Sequence, residues 1–144
     1  MTRSGLTREP IDGGAILRDL PSSKDGAVLL FLGVVRDENR GRRVTGLTYE
    51  AYEEMAVRVA EELVSQAEAR FGTGRIRLVH RVGELRVGEV STAVAVAAPH
   101  REEAYQASRY LIEGLKDRLP VWKEEHYEGG DSTWLGEVGK GERG

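Results

Sequence analysis

Short apolar runs separated by polar breaks organise this chain, and the period of each run predicts an element. Ala27-Val28-Leu29-Leu30-Phe31-Leu32-Gly33-Val34-Val35 is apolar throughout apart from one glycine and follows a turn-forming stretch, residues 21–26. A half-solvated strand would alternate, so this run predicts a central strand buried on both faces. Arg36-Asp37-Glu38-Asn39-Arg40-Gly41-Arg42-Arg43 follows at once and reads as an exposed, mobile loop. Val44 to Tyr52 returns to strand character. Met55, Val59, Leu63, Ala67 and Phe71 then recur every fourth residue, with Ala56, Ala60 and Val64 beside them, which predicts an amphipathic helix of about five turns. Ile76, Leu78, His80 and Val82 alternate with Arg75, Arg77, Val79 and Arg81, a strand pattern, and Val90 to Ala98 is a second β-rich run. Pro99 opens another helix, with Glu102 and Glu103 in its first turn and an apolar stripe through Ala104, Ala107, Leu111 and Leu115. Pro120 ends it, because proline lacks the N–H and restricts the residue before it. Val121 to Tyr127 and Ser132 to Leu135 complete the strands. A short helix near Gly13 to Leu20, capped by Asp12, precedes them all.

The order is α-β-β-α-β-β-α-β-β. Strands come in pairs between helices, unlike the strict alternation of a doubly wound sheet, which favours an α+β fold with a mixed or antiparallel sheet packed against helices. The chain's 144 residues suit one domain, and no linker divides residues 1–135. Residues 136–144 form a polar, Gly-rich tail.

Charge narrows the function classes. Acidic residues number 24 against 21 basic ones, a net charge of −3, which argues against a dedicated nucleic-acid binder. The absence of cysteine excludes disulfides, thiolate nucleophiles, iron–sulfur clusters and cysteine zinc sites. The histidines His80, His100 and His126 show no metal-ligand spacing, so neither metal nor cofactor is expected. The longest apolar run is too short to span a membrane, and no signal peptide is visible, so a cytoplasmic location is expected.

Four places could carry chemistry. Arg36 ends the most hydrophobic strand, where a rigid scaffold could present a cation to an anion; a strand that has simply ended in a charged loop is the alternative. Pro99-His100-Arg101 stands at a helix start, where the macrodipole favours anions and disfavours Arg unless a phosphate or carboxylate sits there; the alternative is an arginine reaching back to a glutamate of its own helix. Lys116 closes that helix and Lys123 follows Trp122 on the next strand. The chain bends at Pro120, so the two amines could converge; partly desolvated by Trp122, each would lose proton affinity. Two solvated surface lysines are the plainer reading. His80 falls on the apolar side of its strand, as a hydrogen-bonded core residue does.

Together these segments resemble one family. Phe31-Leu32-Gly33-Val34-Val35-Arg36, His80-Arg81-Val82-Gly83-Glu84-Leu85, Pro99-His100-Arg101 and Leu115-Lys116 through Pro120-Val121-Trp122-Lys123 to Glu125 are similar, in order and spacing, to the large catalytic subunit of molybdopterin synthase. The resemblance covers roughly residues 5–135. It implies an α/β-hammerhead fold, α+β in class, and a sulfurtransferase of molybdenum cofactor biosynthesis. The reaction it implies inserts two sulfurs into cyclic pyranopterin monophosphate, delivered as a thiocarboxylate on the C-terminal Gly-Gly of a small ubiquitin-like subunit. It further implies a dimer of large subunits within a heterotetramer. By the same resemblance Lys116 and Lys123 are catalytic. Val34, Val35, Arg36, His100, Arg101, Lys116, Lys123, Glu124 and Glu125 bind substrate, with His100 and Arg101 supplied by the same chain or by its neighbour. The alternatives are a non-catalytic module that receives a ubiquitin-like tail, and a domain binding a phosphate ligand or RNA through residues 36–43.

Overall fold

The computed structural model describes residues 4–137. Nine strands and three helices follow in the order β1 (Ser4–Thr7), α1 (Gly13–Asp19), β2 (Ala27–Val34), β3 (Glu38–Asn39), β4 (Arg42–Ala51), α2 (Glu53–Phe71), β5 (Arg75–Arg81), β6 (Gly83–Arg86), β7 (Val90–Ala98), α3 (Arg101–Arg118), β8 (Val121–Tyr127) and β9 (Ser132–Glu137). One mixed sheet has the order β1-β5-β7-β2, with β1 parallel to β5 and the other pairs antiparallel. The second runs β3-β4-β8-β9, with β6 also on β4. The fold is α+β, as the pairing of strands between helices predicts.

Successive residues of a strand face opposite sides, and β7 shows what each side meets. Val94, Val96 and Ala98 belong to the main core with α2 and α3, while Ala93, Ala95 and Ala97 pack with Ile16 and Leu20 of the α1 segment. Every residue from Ser91 to Ala98 is buried. The small alanines let a short helix lie close to the sheet. Leu63 of α2 and Leu111 of α3 are fully buried between the helices and the sheet; truncating such a leucine to alanine costs about 2–5 kcal/mol. Gly114 lets the two helices approach, since a Cβ there would lie 2.5 Å from a Leu63 methyl.

Asp12 caps α1, its carboxylate accepting from the Ala15 N–H at 3.1 Å. The periodicity of α2 and α3 and the stop at Pro120 are as expected from sequence. Three expectations are corrected. The apolar run Ala27–Val34 is an edge strand, and β7 is the strand buried on both faces. α1 and α3 shield the two faces of β2, which explains its continuous apolarity, but among the described residues only β7 pairs with it, and Leu32 and Val34 are 37% and 50% exposed. Residues 36–43 are not a plain loop: β3 and β4 form a hairpin whose turn takes Arg40 and Gly41 to φ +52° and +79°. Asn39 is buried in it, because its amide donates to Glu125 Oε1 at 2.8 Å. Finally, β9 extends to Glu137, two residues into the stretch read as tail; the rest of that stretch lies outside the described residues.

Candidate functional site

Three rows of side chains cross the first sheet on the face that α2 and α3 cover. The cross-strand register places Leu29, Val96 and Ile76 in one row, and Phe31, Val94 and Leu78 in the next. The third row is Gly33, Thr92 and His80. Here the apolar pattern breaks, the helices give way to the second sheet, and a cavity of about 170 Å³ opens. Its walls also include Val34, Arg36, Tyr49, Ser91, Leu115, Lys116 and Lys123.

Each cation arrives there for a local reason. Lys116 sits in the last turn of α3, where the partial negative charge of the helix end favours an amine. Leu119, extended at ψ 123°, and Pro120 turn the chain into β8, which runs back antiparallel to β4 and sets Lys123 opposite Tyr49. Arg36 follows the end of β2. The lining contains these three cations and no acid. Arg36 and Lys116 have no hydrogen-bond or ion-pair partner among the described residues. Lys123 is mostly buried, and its Nζ lies 4.0 Å from Glu125 Oε2. Glu125 is itself buried and anchored, with Oε1 accepting from Asn39 and from the Tyr127 hydroxyl at 2.8 Å each. It holds Lys123 from behind without entering the cavity. Arg36 and Lys116 are exposed, so water screens a charge pairing least at Lys123.

The floor is neutral. His80 is 2% exposed, and burial pushes it down to about 4. Its Nδ1–H donates to the Arg81 carbonyl at 2.7 Å, so Nε2 is left as an acceptor. Tyr49 packs edge-on against the His80 ring at 4.8 Å. Burial first of all raises the Tyr49 phenol above its ordinary value, and nearby Glu125 adds to this against a hydrogen bond with Ser91. The site therefore offers cations at one side and uncharged polar groups below.

Of the residues expected from sequence, Val34, Arg36, Lys116 and Lys123 come together. Val35 is buried in the main core, Glu125 lies behind Lys123, and Glu124 faces the opposite side of β8. His100 and Arg101 stand at the start of α3, about 22 Å from Lys116 at the rise of an α-helix. Both are exposed and neither lines the cavity. Trp122 was expected to desolvate the amines; it points away from them and packs edge-on against Tyr52 at 4.6 Å, because adjacent strand residues face opposite sides. Tyr49 and Thr92 were not singled out from sequence, since only the strand register brings them to the lysines. His80 was read as core, and it is both core and floor.

Other features offer less. A larger groove of about 460 Å³ runs along α2 and α3, but its arginines are committed. Arg118 binds Glu62 and Gln66, Arg109 lies near Glu113, and Arg70 stacks over Phe71 and Tyr110. The arginines of the β3–β4 hairpin are compensated too: Arg42 pairs with Asp131 and Arg43 with Asp37 and Glu128. Among the described residues no cluster of His, Asp or Glu could hold a metal ion, and no helix is long and apolar enough to cross a membrane.

Comparison with known proteins points the same way. Residues 6–118 match the model of the MoaE protein family. The molybdopterin synthase catalytic subunit of Bacillus subtilis is 36% identical over 137 residues, covering 95% of this chain and 87% of that one. That of Pyrococcus abyssi is 46% identical over 114 residues, covering 79% and 76%. The crystal structure of molybdopterin synthase from Staphylococcus aureus superposes with a TM-score of 0.88 at 33% identity, over 95% of this chain and 99% of that one. A protein-protein complex of subunits 1 and 2 of the molybdopterin-converting factor from Helicobacter pylori contains a chain of the same fold, with a TM-score of 0.74 at 22% identity over 86% of this chain and 84% of that one. An acid-free cavity walled by two lysines and an arginine thus sits in a fold and sequence shared with these enzymes, and the chain belongs to the MoaE family of molybdopterin synthase catalytic subunits.

Proposed function

We propose that this catalytic subunit transfers sulfur, in the cytoplasm, from the C-terminal thiocarboxylate of a small ubiquitin-like subunit to cyclic pyranopterin monophosphate. Two transfers make the dithiolene of molybdopterin. The acid-free cavity at Lys116 and Lys123 carries this reading: both the thiocarboxylate and the substrate phosphate are anionic, and a group of cations with no acid among them suits anions. Lys116 holds the thiocarboxylate sulfur toward a substrate carbon, where a new C–S bond forms as an oxygen of the substrate leaves; water then cleaves the carrier's own C–S bond, and Lys116 assists departure of the resulting carboxylate. Lys123, kept in place by Glu125, offsets the negative charge that develops, which in a water-poor site is the larger contribution to the rate. Arg36 binds the substrate phosphate at the rim.

His100 and Arg101 are too far from the cavity of their own chain to join it. We place them in the site of a second copy, so that a dimer of large subunits, with a small subunit on each, completes two sites. No metal or cofactor enters the scheme, and the sulfur carrier supplies the thiol chemistry that a chain without cysteine lacks.

The test is a sulfur-transfer assay with purified thiocarboxylated carrier and cyclic pyranopterin monophosphate. Product is expected at the full rate with the wild-type chain and far more slowly with Lys116→Ala. Normal product formation by Lys116→Ala would overturn the assignment.

A further inference from the structure

Behind the Lys123 amine lies a buried polar cluster to which the β3–β4 hairpin contributes. Asn39 is one of the two residues of β3 and is 8% exposed. Its partner Glu125 is 86 positions away in the sequence and 4% exposed. Two neutral donors meet on one oxygen of that carboxylate: the Asn39 amide and the Tyr127 hydroxyl both donate to Oε1, each at 2.8 Å. The other oxygen, Oε2, is the one toward the Lys123 amine, at 4.0 Å. A buried carboxylate needs its lone pairs satisfied. Here the uncharged donors take one oxygen and leave the second for the cation.

The hairpin is itself tied down. Arg42, opposite Asn39 in the register, stacks over the Tyr127 ring at 3.9 Å and pairs with Asp131 at 3.1 Å. The Glu128 N–H donates to the Arg43 carbonyl at 3.0 Å. A two-residue strand does not need a buried side-chain amide to pair with its neighbour, and burying one is costly unless it is bonded. Asn39, Glu125 and Tyr127 stand outside the cavity lining, and Lys123 is the member of the cluster that reaches it. A lysine amine sits on a flexible four-carbon stem, so one that must meet a charge developing at a fixed point has to be held.

We propose that Asn39 and Tyr127 are positioning residues for sulfur transfer: by occupying Oε1 of Glu125 they fix the carboxylate with Oε2 toward Lys123, and so set where the Lys123 amine stands in the cavity. They act through Lys123 and touch neither the carrier nor the pterin. The inference rests on the proposed function and adds to it the residues that hold its second lysine in place, one of them on a hairpin remote in the sequence.

Asn39→Leu removes the amide at similar size; Tyr127→Phe removes the hydroxyl and keeps the ring under Arg42. Each is made in the wild-type chain and in Lys123→Ala. Single-turnover rates are measured with carrier-loaded enzyme in excess over pterin, KM for cyclic pyranopterin monophosphate in the steady state, and Tm alongside. In the wild-type chain Asn39→Leu is expected to lower the rate about 10–100-fold, the scale of a reacting group displaced by about 1 Å, and Tyr127→Phe to lower it less. KM hardly changes, because Lys123 acts on charge that develops in the transition state. In Lys123→Ala neither substitution lowers the rate further, since the group they position has gone. Tm falls in both backgrounds, because a buried carboxylate loses a donor. An unchanged rate in folded Asn39→Leu, or in Tyr127→Phe should Asn39→Leu fail to fold, overturns the proposal, as does an equal loss with and without Lys123. Crystal structures of the wild-type and variant chains need no turnover: Glu125 and Lys123 are expected to shift in the variants, and unmoved side chains overturn the proposal. A wild-type chain that transfers no sulfur would overturn the transfer reaction, and those structures would still decide what places Lys123.

Discussion

The two ends of α3 carry the same kind of side chain and make opposite use of it. At the C-terminal end the helix dipole favours Lys116, the chain turns back through Pro120, and the side chain, though exposed, lines the cavity between the two sheets. At the N-terminal end the dipole disfavours Arg101, which is exposed among the described residues. Glu103 serves that end instead, its carboxylate accepting from the His100 backbone N–H at 3.2 Å and lying 3.4 Å from His100 Nδ1. One end is a finished half of a site. The other is an exposed cationic group on a helix, away from the cavity of its own chain. A cation near a helix terminus is therefore not informative by itself; what distinguishes these two exposed cations is that Lys116 lines a cavity with other cations and Arg101 does not.

The largest expected difference between the ends lies in catalysis. Lys116→Ala should lower the sulfur-transfer rate by about 10²–10³-fold, the usual scale for removing a preorganised charge from a transition state. Because Lys116 is exposed and unpaired among the described residues, Tm should hardly move. Arg101→Ala should leave the rate at saturating pterin largely intact. Comparable losses of maximal rate from both variants would erase the distinction.

A second test asks how well the cavity end excludes water. His80 forms its floor, with a pKa pushed from 6.5 down to about 4 by burial. Between those values the unfolded chain takes up a proton that the folded chain refuses, so this contribution is intact above pH 6.5 and lost as pH falls toward 4. The full loss is about 3 kcal/mol. His80→Asn keeps a donor for the Arg81 carbonyl and does not titrate. Its stability, measured by urea unfolding from pH 7 to 4, should decline less steeply than that of the wild type. Parallel curves would mean that water reaches His80 and that the floor is not dry.

Much of this was legible in the sequence, because periodicity reports which face of an element is buried. It gave α2, α3, the alternation of β5 and the cap at Asp12. It could not report neighbours. The run from Ala27 to Val34 is as apolar as a central strand because helices shield both faces, yet among the described residues only one of its edges is paired. The hairpin at residues 36–43 was hidden because its one buried side chain, Asn39, finds its partner at Glu125, far along the chain. The same limit applied to the site. Arg36, Lys116 and Lys123 stood out as cations at element ends, and the motifs tied them to a family. Thr92 and Tyr49 gave no local signal, since a threonine and a tyrosine in strands are ordinary until the register sets them beside the lysines.

The smallest expected effect is the most discriminating about the exposed end. Arg101→Ala should weaken binding of cyclic pyranopterin monophosphate about tenfold, the scale of one charge-assisted hydrogen bond, with no change in Tm. The decisive measurement mixes this variant with Lys116→Ala after dissociation and reassociation of the large subunits. If Arg101 serves the site of a second copy, a mixed dimer combines the intact Lys116 of one chain with the intact Arg101 of the other and holds one complete site. Activity at low substrate should then exceed the average of the two parent variants. If Arg101 serves its own chain, every site in the mixed dimer lacks one group and activity stays at that average. A tenfold binding defect with no gain on mixing would return His100 and Arg101 to their own chain. It would require α3 to bend or shift across about 22 Å, which a helix packed along its length on α2 and the sheet does not permit.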